Sequence, residues 1–69
     1  MFDYSKLRGR IVEMYRTQGD FAKAAETSRN KVNNVLTGRT YLTQTDICKW
    51  SKVLDIKENE IHQFFFVRT

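Results

Sequence analysis

Residues 26–38 read ETSRNKVNNVLTG, and they contain the start and stop signals of a short helix. Ser28 stands where a helix N-cap is expected, because a serine oxygen accepts a hydrogen bond from a backbone N–H of the first turn. Gly38 follows the last apolar residue and provides a C-terminal stop, since glycine readily adopts the left-handed conformation that ends many helices. The pattern therefore predicts a helix over residues 29–36.

The predicted helix has two contrasting sides. At 100° per residue, Val32, Val35 and Leu36 form an apolar edge. The opposite side holds Arg29, Asn30, Asn33 and Asn34. Each asparagine costs a helix about 0.6 kcal/mol relative to alanine. Because an amide can pair bidentately with adenine and a guanidinium with guanine, this side has the chemistry to contact base edges. The alternative is an ordinary exposed face that tolerates asparagine.

The helical period of apolar residues recurs on both sides of this segment, without a strong alternating pattern typical of strands. Leu7, Ile11 and Met14 share one side of a first helix, and Phe21 and Ala24 share one side of a second. The predicted helices span residues 4–16, 18–25, 29–36, 43 or 45 to 54, and 57–65. The sequence therefore predicts a compact all-α domain of five short helices.

The positive charge is concentrated in the first part of the chain. The 69 residues have a formal net charge of +4. Residues 1–40 contain eight cations and four acids, whereas residues 41–69 contain four of each. A basic half beside a neutral half favours a polyanionic partner for the first half, although a solvated basic surface would give the same count.

The residue types argue against catalysis and metal binding. Cys48 is the only cysteine and His62 the only histidine, so we expect neither an internal disulfide nor a Cys/His metal site. Trp50 is expected in the core. Since no paired carboxylates or nucleophile–base pair stand out, we expect no enzyme activity, no cofactor and no small-molecule substrate. The absence of a signal-peptide pattern and of an apolar run near 20 residues predicts a soluble protein without membrane contact.

Four residues around the quoted stretch have the spacing of a known DNA-binding motif. Gln18, Ala22, Glu26 and Val32 follow the bipartite pattern of the lambda-repressor-like helix-turn-helix family, and SRNKVNNVLTGR is similar to its serine-capped recognition helix and following turn. The chain resembles that family over about residues 5–65. Glu26 departs from the usual glycine, and a side chain at positive φ there would cost about 1 kcal/mol.

This resemblance implies a single helix-turn-helix domain, residues 1–69, with the motif at about 18–36 and a C-terminal tail at 66–69. It implies residue roles as well. The expected DNA base contacts are Arg29, Asn30, Asn33 and Asn34. The expected DNA backbone contacts are Gln18, Lys31, Arg39 and Thr40, and Lys6 and Arg10 could add further backbone contacts. Phosphate contacts would provide most of the affinity, and base contacts the choice of site.

The C-terminal stretch FFFVRT leaves two interpretations open. Phe66 and Val67 lie beyond the predicted fifth helix, so they either pack back on the core or form a contact with a second copy or a partner. Helix-turn-helix proteins commonly bind palindromic DNA as two-fold dimers, which makes a homodimer one expectation.

The resemblance favours two functions. The first is a sequence-specific transcriptional regulator of the phage Cro or repressor type, which binds a double-stranded operator and controls a lysogeny/lysis switch. The second is an antirepressor or modulator that binds a partner phage repressor instead of DNA, or in addition to it. The composition is most similar to short regulators of temperate phages, which implies a location in the cytoplasm of the bacterial host cell.

Overall fold

The structure is a computed structural model that describes residues 2–68. Its helices are α1 (Ser5–Tyr15), α2 (Gln18–Ala24), α3 (Arg29–Leu36), α4 (Gln44–Val53) and α5 (Ile61–Phe65), with a 3₁₀ turn at Glu58–Glu60 before α5. The predicted compact all-α architecture of five helices is confirmed. The predicted domain 1–69 and tail 66–69 include Met1 and Thr69, which lie outside the described residues.

Three helices begin at hydroxyl caps, among them the Ser28 cap that the sequence predicts. The side-chain oxygens of Thr17, Ser28 and Thr43 each accept a hydrogen bond from the backbone N–H three residues later, at 3.0–3.1 Å. At α4 the bond is reciprocal, because the Asp46 carboxylate accepts the backbone N–H of Thr43 at 3.2 Å. These local bonds explain why the observed starts of α2 and α3 match the predicted starts.

Three helices end in the same way. After α3, the N–H of Gly38 donates to the carbonyl of Val35 and the N–H of Arg39 donates to that of Asn34, at 3.0 and 2.8 Å. This pair of bonds is the Schellman motif, which needs a left-handed residue. Gly38 has φ 81°, but at the ends of α2 and α4 the same role falls to Glu26 and Asp55, with φ 56° and 53°. Glu26, which stands at the usual glycine position of the helix-turn-helix spacing, therefore has a positive φ, as that position predicts.

The core is built around two aromatic residues from different helices. Phe21 of α2 and Trp50 of α4 are both fully buried, and their rings meet edge to face at 4.9 Å. The other fully buried large side chains are Leu7, Ile11, Val32, Val35, Leu54 and Phe65. The burial of Trp50 confirms the sequence expectation and ties α2 to α4.

Two residues expected to face the core are exposed instead. Met14 is 43% exposed, because it lies at the margin of the buried side of α1, whereas Tyr15 turns inward and donates to the Val53 carbonyl at 2.9 Å. Ala24 is exposed because α2 presents Phe21, Ala22 and Ala25 to the core, which leaves Ala24 on the other side.

The predicted fifth helix over 57–65 is wrong in its first turn. Residues Glu58–Glu60 form a 3₁₀ turn, in which the N–H of Glu60 donates to the carbonyl of Lys57 at 2.8 Å. The Glu60 carboxylate accepts the N–H of Lys57 at 3.2 Å, which closes this tight turn. Only Ile61–Phe65 is α-helical.

The two ends of the described chain meet. The N–H of Asp3 donates to the carbonyl of Val67 at 2.7 Å, and Phe2 pairs with Arg68 in an isolated antiparallel bridge. The rings of Phe2 and Phe66 lie edge to face at 5.9 Å. Phe66 thus packs back on the N-terminal segment, yet 39% of it stays exposed. No helix within residues 2–68 has the length and apolar character required to cross a bilayer.

Candidate functional site

Four of the predicted contact residues lie together on one surface. Gln18, at the start of α2, and Arg29, Asn30 and Asn33 of α3 line one shallow cleft. We call these four residues the α2–α3 face. Arg29, Asn30 and Asn33 are exposed and Gln18 is half-buried. Asn34, predicted with them, does not line this cleft.

The packing of α3 explains why this face points outward. Val32 and Val35 are fully buried and Leu36 is 7% exposed, so the apolar edge of α3 is fixed against the core. Residues on the opposite side of an eight-residue helix must then face solvent. The expectation that the α3 amides are available to a partner therefore follows from the burial of two valines and a leucine.

The side chain of Arg29 lies beside the first turn of α2. Gly19 follows Gln18, and a methyl group in place of its hydrogen would lie 3.9 Å from Cδ of Arg29. The aliphatic part of the Arg29 side chain therefore lies beside the start of α2, and Arg29 lines the same cleft as Gln18. The α2–α3 face combines one cation with three amide groups, each of which both donates and accepts hydrogen bonds.

Lys31 is held differently from Arg29. Its Nζ lies 2.8 Å from Oδ2 of Asp46 on α4, and the two side chains are 38% and 16% exposed. Burial acts to raise the pKa of the Asp46 carboxyl, but the hydrogen bonds from Lys31 and Thr43 and the charge of Lys31 together lower it below the ordinary value. The lysine expected to contact a DNA phosphate is thus already paired within the protein.

The remaining predicted contacts lie at the C-terminal end of α3, outside the cleft. Asn34 is half-buried, and its backbone carbonyl accepts the N–H groups of Arg39 and Thr40 at 2.8 and 3.3 Å. Arg39 is exposed and Thr40 half-buried. The hydroxyl of Thr37 also donates to the carbonyl of Asn33 at 2.9 Å. These bonds fix the loop after α3 but leave its side chains separate from the α2–α3 face.

One of the two predicted tail contacts, Phe66, lines a second, apolar cleft. Phe66 lines it with Gln44, Ile47, Cys48 and Ile61, and its volume is about 340 Å³. Val67, next to Phe66, is 38% exposed. The structure therefore supports partial packing of Phe66 against the protein and leaves apolar surface at the α4–α5 side.

Two basic residues of α1 make contacts that the sequence did not predict. Lys6 and Arg10, considered as DNA backbone contacts, are engaged within the protein. Nζ of Lys6 donates to Oε1 of Gln63 at 2.8 Å, and Nη1 of Arg10 donates to the carbonyl of Leu54 at 2.8 Å. Both cations lie over the Phe64 ring, about 5 Å from its centre. Since these partners lie 44 and 57 residues away in sequence, no local pattern indicates them.

Another surface that the sequence did not indicate lies along α1. Arg8, Val12 and Leu36 line a cleft of about 570 Å³ together with the N-terminal segment at Phe2. Val12 is 56% exposed, and Arg8 donates weakly to the Leu36 carbonyl at 3.4 Å. This cleft is larger than the one at Phe66, and it has a charged end at Arg8.

The described residues offer no ligand set for a metal. Within residues 2–68, no group of three or more histidine, cysteine, aspartate or glutamate side chains lies close enough to hold an ion. Cys48 is exposed at the apolar cleft on α4. The chemistry at the α2–α3 face is therefore that of hydrogen bonding and charge.

Comparison with known proteins identifies related sequences and structures. The sequence profile of a family described as "Protein of unknown function (DUF739)" matches residues 1–68. The solution structure of the modulator of repression (MOR) of the temperate bacteriophage TP901-1 from Lactococcus lactis is similar, with a TM-score of 0.82 and 34% sequence identity. The match covers 94% of this chain and 88% of that one. Comparison with curated proteins gives no significant match.

Proposed function

We propose that this chain, a member of the DUF739 family, is a regulator of a temperate-phage genetic switch, because its fold and sequence are similar to those of a phage modulator of repression. In this proposal it modulates repression by binding a partner repressor protein, and the α2–α3 face is the contact surface. It acts as a binding module in the cytoplasm of the bacterial host, without catalysis or a cofactor.

The single observation that supports the location of the contact is the exposure of Arg29, Asn30 and Asn33 beside Gln18. Hydrogen-bonding groups that the fold leaves outside its own network are suited to a partner's polar groups. Arginine is also enriched among the residues that dominate binding energies at protein interfaces. The relation to a modulator of repression supports a repressor as the partner.

Operator DNA is the second candidate partner, because the same face has the chemistry for it. α3 has eight residues and is therefore about 12 Å long, and a helix of that size fits the major groove. The resemblance to the lambda-repressor-like helix-turn-helix family supports this alternative. In it, Arg29 and the α3 amides contact bases, Gln18, Arg39 and Thr40 contact the backbone, and a homodimer would supply two half-sites.

A mobility-shift titration distinguishes the two candidates. The probe is the promoter region beside the gene for this protein, with and without the repressor encoded by the same phage, at two salt concentrations. A protein partner predicts that the shift by the repressor changes in the presence of this protein, while this protein alone gives no specific shift. A specific shift by this protein alone would contradict the proposal and favour operator binding.

Two variants test whether the contact lies on the α2–α3 face. Arg29→Ala should weaken binding to the repressor by roughly 2 kcal/mol, as for an arginine at the centre of an interface. Lys23→Ala is the matched control, since Lys23 is an exposed cation on α2 that does not line the cleft. Calorimetric titration should show little change for the control. Equal losses in the two variants would move the contact away from this face.

A further inference from the structure

One ion pair joins the functional helix to the rest of the molecule. Lys31 and Asp46 form the ion pair found among residues 2–68, with a separation of 2.8 Å. Lys31 follows Asn30 of the α2–α3 face, whereas Asp46 lies in the first turn of α4. Lys31 is therefore the next residue after a member of the α2–α3 face, and neither member of the pair lines its cleft.

We propose that Asp46 is a specificity-determining residue: by holding Lys31, it disfavours binding of nucleic-acid phosphates beside the α2–α3 face. This inference rests on the proposed function, in which the partner is a protein. Asp46 acts as a repulsive element against the wrong class of partner, and specificity often needs such an element in addition to favourable contacts.

The hydrogen bonds of Asp46 make it unfavourable for Lys31 to leave Asp46 and bind a phosphate instead. Oδ2 of Asp46 accepts hydrogen bonds from Nζ of Lys31 and from the backbone N–H of Thr43. If Lys31 turned to a phosphate, the backbone bond would keep the Asp46 carboxylate in place. Its negative charge would then stand unpaired, 16% exposed, beside a second anion. Two neighbouring negative charges repel each other, and the partial burial of Asp46 strengthens this repulsion.

The pair also changes the number of cations that the surface offers. Affinity for DNA and its salt dependence grow with the number of phosphates that cations neutralise. With Lys31 paired, Arg29 and Arg39 are the exposed cations of α3 and of the loop after it. A protein partner does not need a row of cations. Neutralising Lys31 therefore lowers the affinity for DNA and changes the affinity for a polar protein partner only slightly.

The test removes the charge of Asp46 and measures binding to an arbitrary 20-base-pair duplex by fluorescence anisotropy. Asp46→Asn keeps an oxygen for the Thr43 N–H and frees Lys31. The affinity at low salt should rise about tenfold, and the slope of log affinity against log salt should steepen by about one. Asp46→Gln is a second variant, because glutamine is also accepted at this position of a capping box.

A double-mutant cycle assigns the effect to Lys31. Lys31→Ala alone should leave the affinity for DNA unchanged within twofold, and in the Asp46→Asn background it should abolish the gain. Glu13→Gln makes the same change in net charge at an exposed position of α1 and serves as the control. An equal gain in the control, no gain in either Asp46 variant, or a gain that survives Lys31→Ala would overturn the proposal.

Binding to the repressor is measured on the same variants to separate the two proposals. Asp46→Asn should retain repressor binding within about threefold. If the unmodified protein fails to bind the repressor while Asp46→Asn still gains DNA affinity through Lys31, the proposed partner is wrong and the role of Asp46 stands. If the unmodified protein binds the duplex tightly and Lys31→Ala weakens it, the role of Asp46 is wrong.

Discussion

Two basic surfaces of this molecule use similar residues in opposite ways. On α1, Lys6 and Arg10 donate to Gln63 and to the Leu54 carbonyl, and both lie over the Phe64 ring. On the α2–α3 face, Arg29 lies exposed among amides, and within residues 2–68 it forms no ion pair. The α1 cations contact other parts of the fold, whereas Arg29 remains available to a partner. The number of cations in a segment therefore overstates the charge that it offers for binding.

The largest loss of stability is expected when the aromatic ring under the two α1 cations is removed. Phe64 is 2% exposed, and Phe64→Ala should lower the free energy of unfolding by about 3–5 kcal/mol, through lost burial and lost contact with two cations. Small domains have total stabilities near the lower end of about 5–15 kcal/mol, so the variant should be largely unfolded at 37 °C. Circular dichroism with urea denaturation measures this. Phe66→Ala, at a ring that is 39% exposed, is the control and should lose much less.

A second substitution compares the two surfaces directly. Arg10→Met keeps most of the side-chain length but removes the donor to the carbonyls of Leu54 and Asp55 at the end of α4. We expect a loss of about 1.5–3 kcal/mol in the free energy of unfolding, typical of a hydrogen bond from a charged group. The same change at Arg29 should stay within about 0.5 kcal/mol. Similar losses at both arginines would show that the contrast between the surfaces is wrong.

The turn that leads into α3 gives a smaller, stabilising effect. Glu26 has φ 56°, a conformation that glycine adopts without the steric cost of a side chain. Glu26→Gly should therefore raise the free energy of unfolding by up to about 1 kcal/mol. Lys23→Gly, three residues earlier and inside α2, should lower it by about 0.8 kcal/mol. Thermal denaturation of both variants should give shifts of opposite sign; shifts of the same sign would contradict the role of Glu26.

The smallest expected effect concerns Lys31, the α3 cation that is paired within the protein as the two α1 cations are. The pKa of Asp46 is lowered from its ordinary value of 3.8: burial acts to raise it, but Lys31 and Thr43 outweigh that effect. A carboxyl with a lowered pKa stabilises the fold above its unfolded-state pKa, and this contribution is lost as the pH falls through its folded-state pKa. Below about pH 4 the unmodified protein should lose about 0.5 kcal/mol that Asp46→Asn does not lose, since exposed pairs contribute little.

Denaturation curves at pH 7 and pH 3 on both proteins measure this difference. The pKa of Asp3 is also lowered, by hydrogen bonds from Ser5, and its contribution remains in the variant. Subtracting one pH dependence from the other therefore isolates Asp46. An identical pH dependence in the two proteins would show that the pair with Lys31 does not persist in solution.

The features that the sequence predicted correctly depend on neighbours in the chain. The bounds of α3 follow from the Ser28 cap and the left-handed Gly38, both within a few residues of the helix. The exposure of Arg29 and Asn30 follows from the helical period once Val32 is buried. Local bonds and periodicity are sufficient for such features, because they need no knowledge of which helices meet.

The features that the sequence missed depend on distant partners. Lys6 contacts a residue 57 positions away, and Lys31 pairs with one 15 positions away on a different helix. Residue type alone does not distinguish a cation that binds a phosphate from one that donates a hydrogen bond to a carbonyl of its own protein. The 3₁₀ turn at Glu58–Glu60 was missed for a different reason: its bonds between Lys57 and Glu60 are local, but the apolar spacing of 57–65 also fits an α-helix.

In the proposed function, the α2–α3 face is the surface that contacts the partner repressor. NMR titration of the isotope-labelled protein with that repressor tests this claim most directly, because each backbone amide reports separately. We expect the largest shift changes at Gln18, Arg29, Asn30 and Asn33, with small changes along α1 at Lys6 and Arg10. Changes concentrated at Arg8 and Val12 or around Phe66, with α3 unaffected, would contradict it.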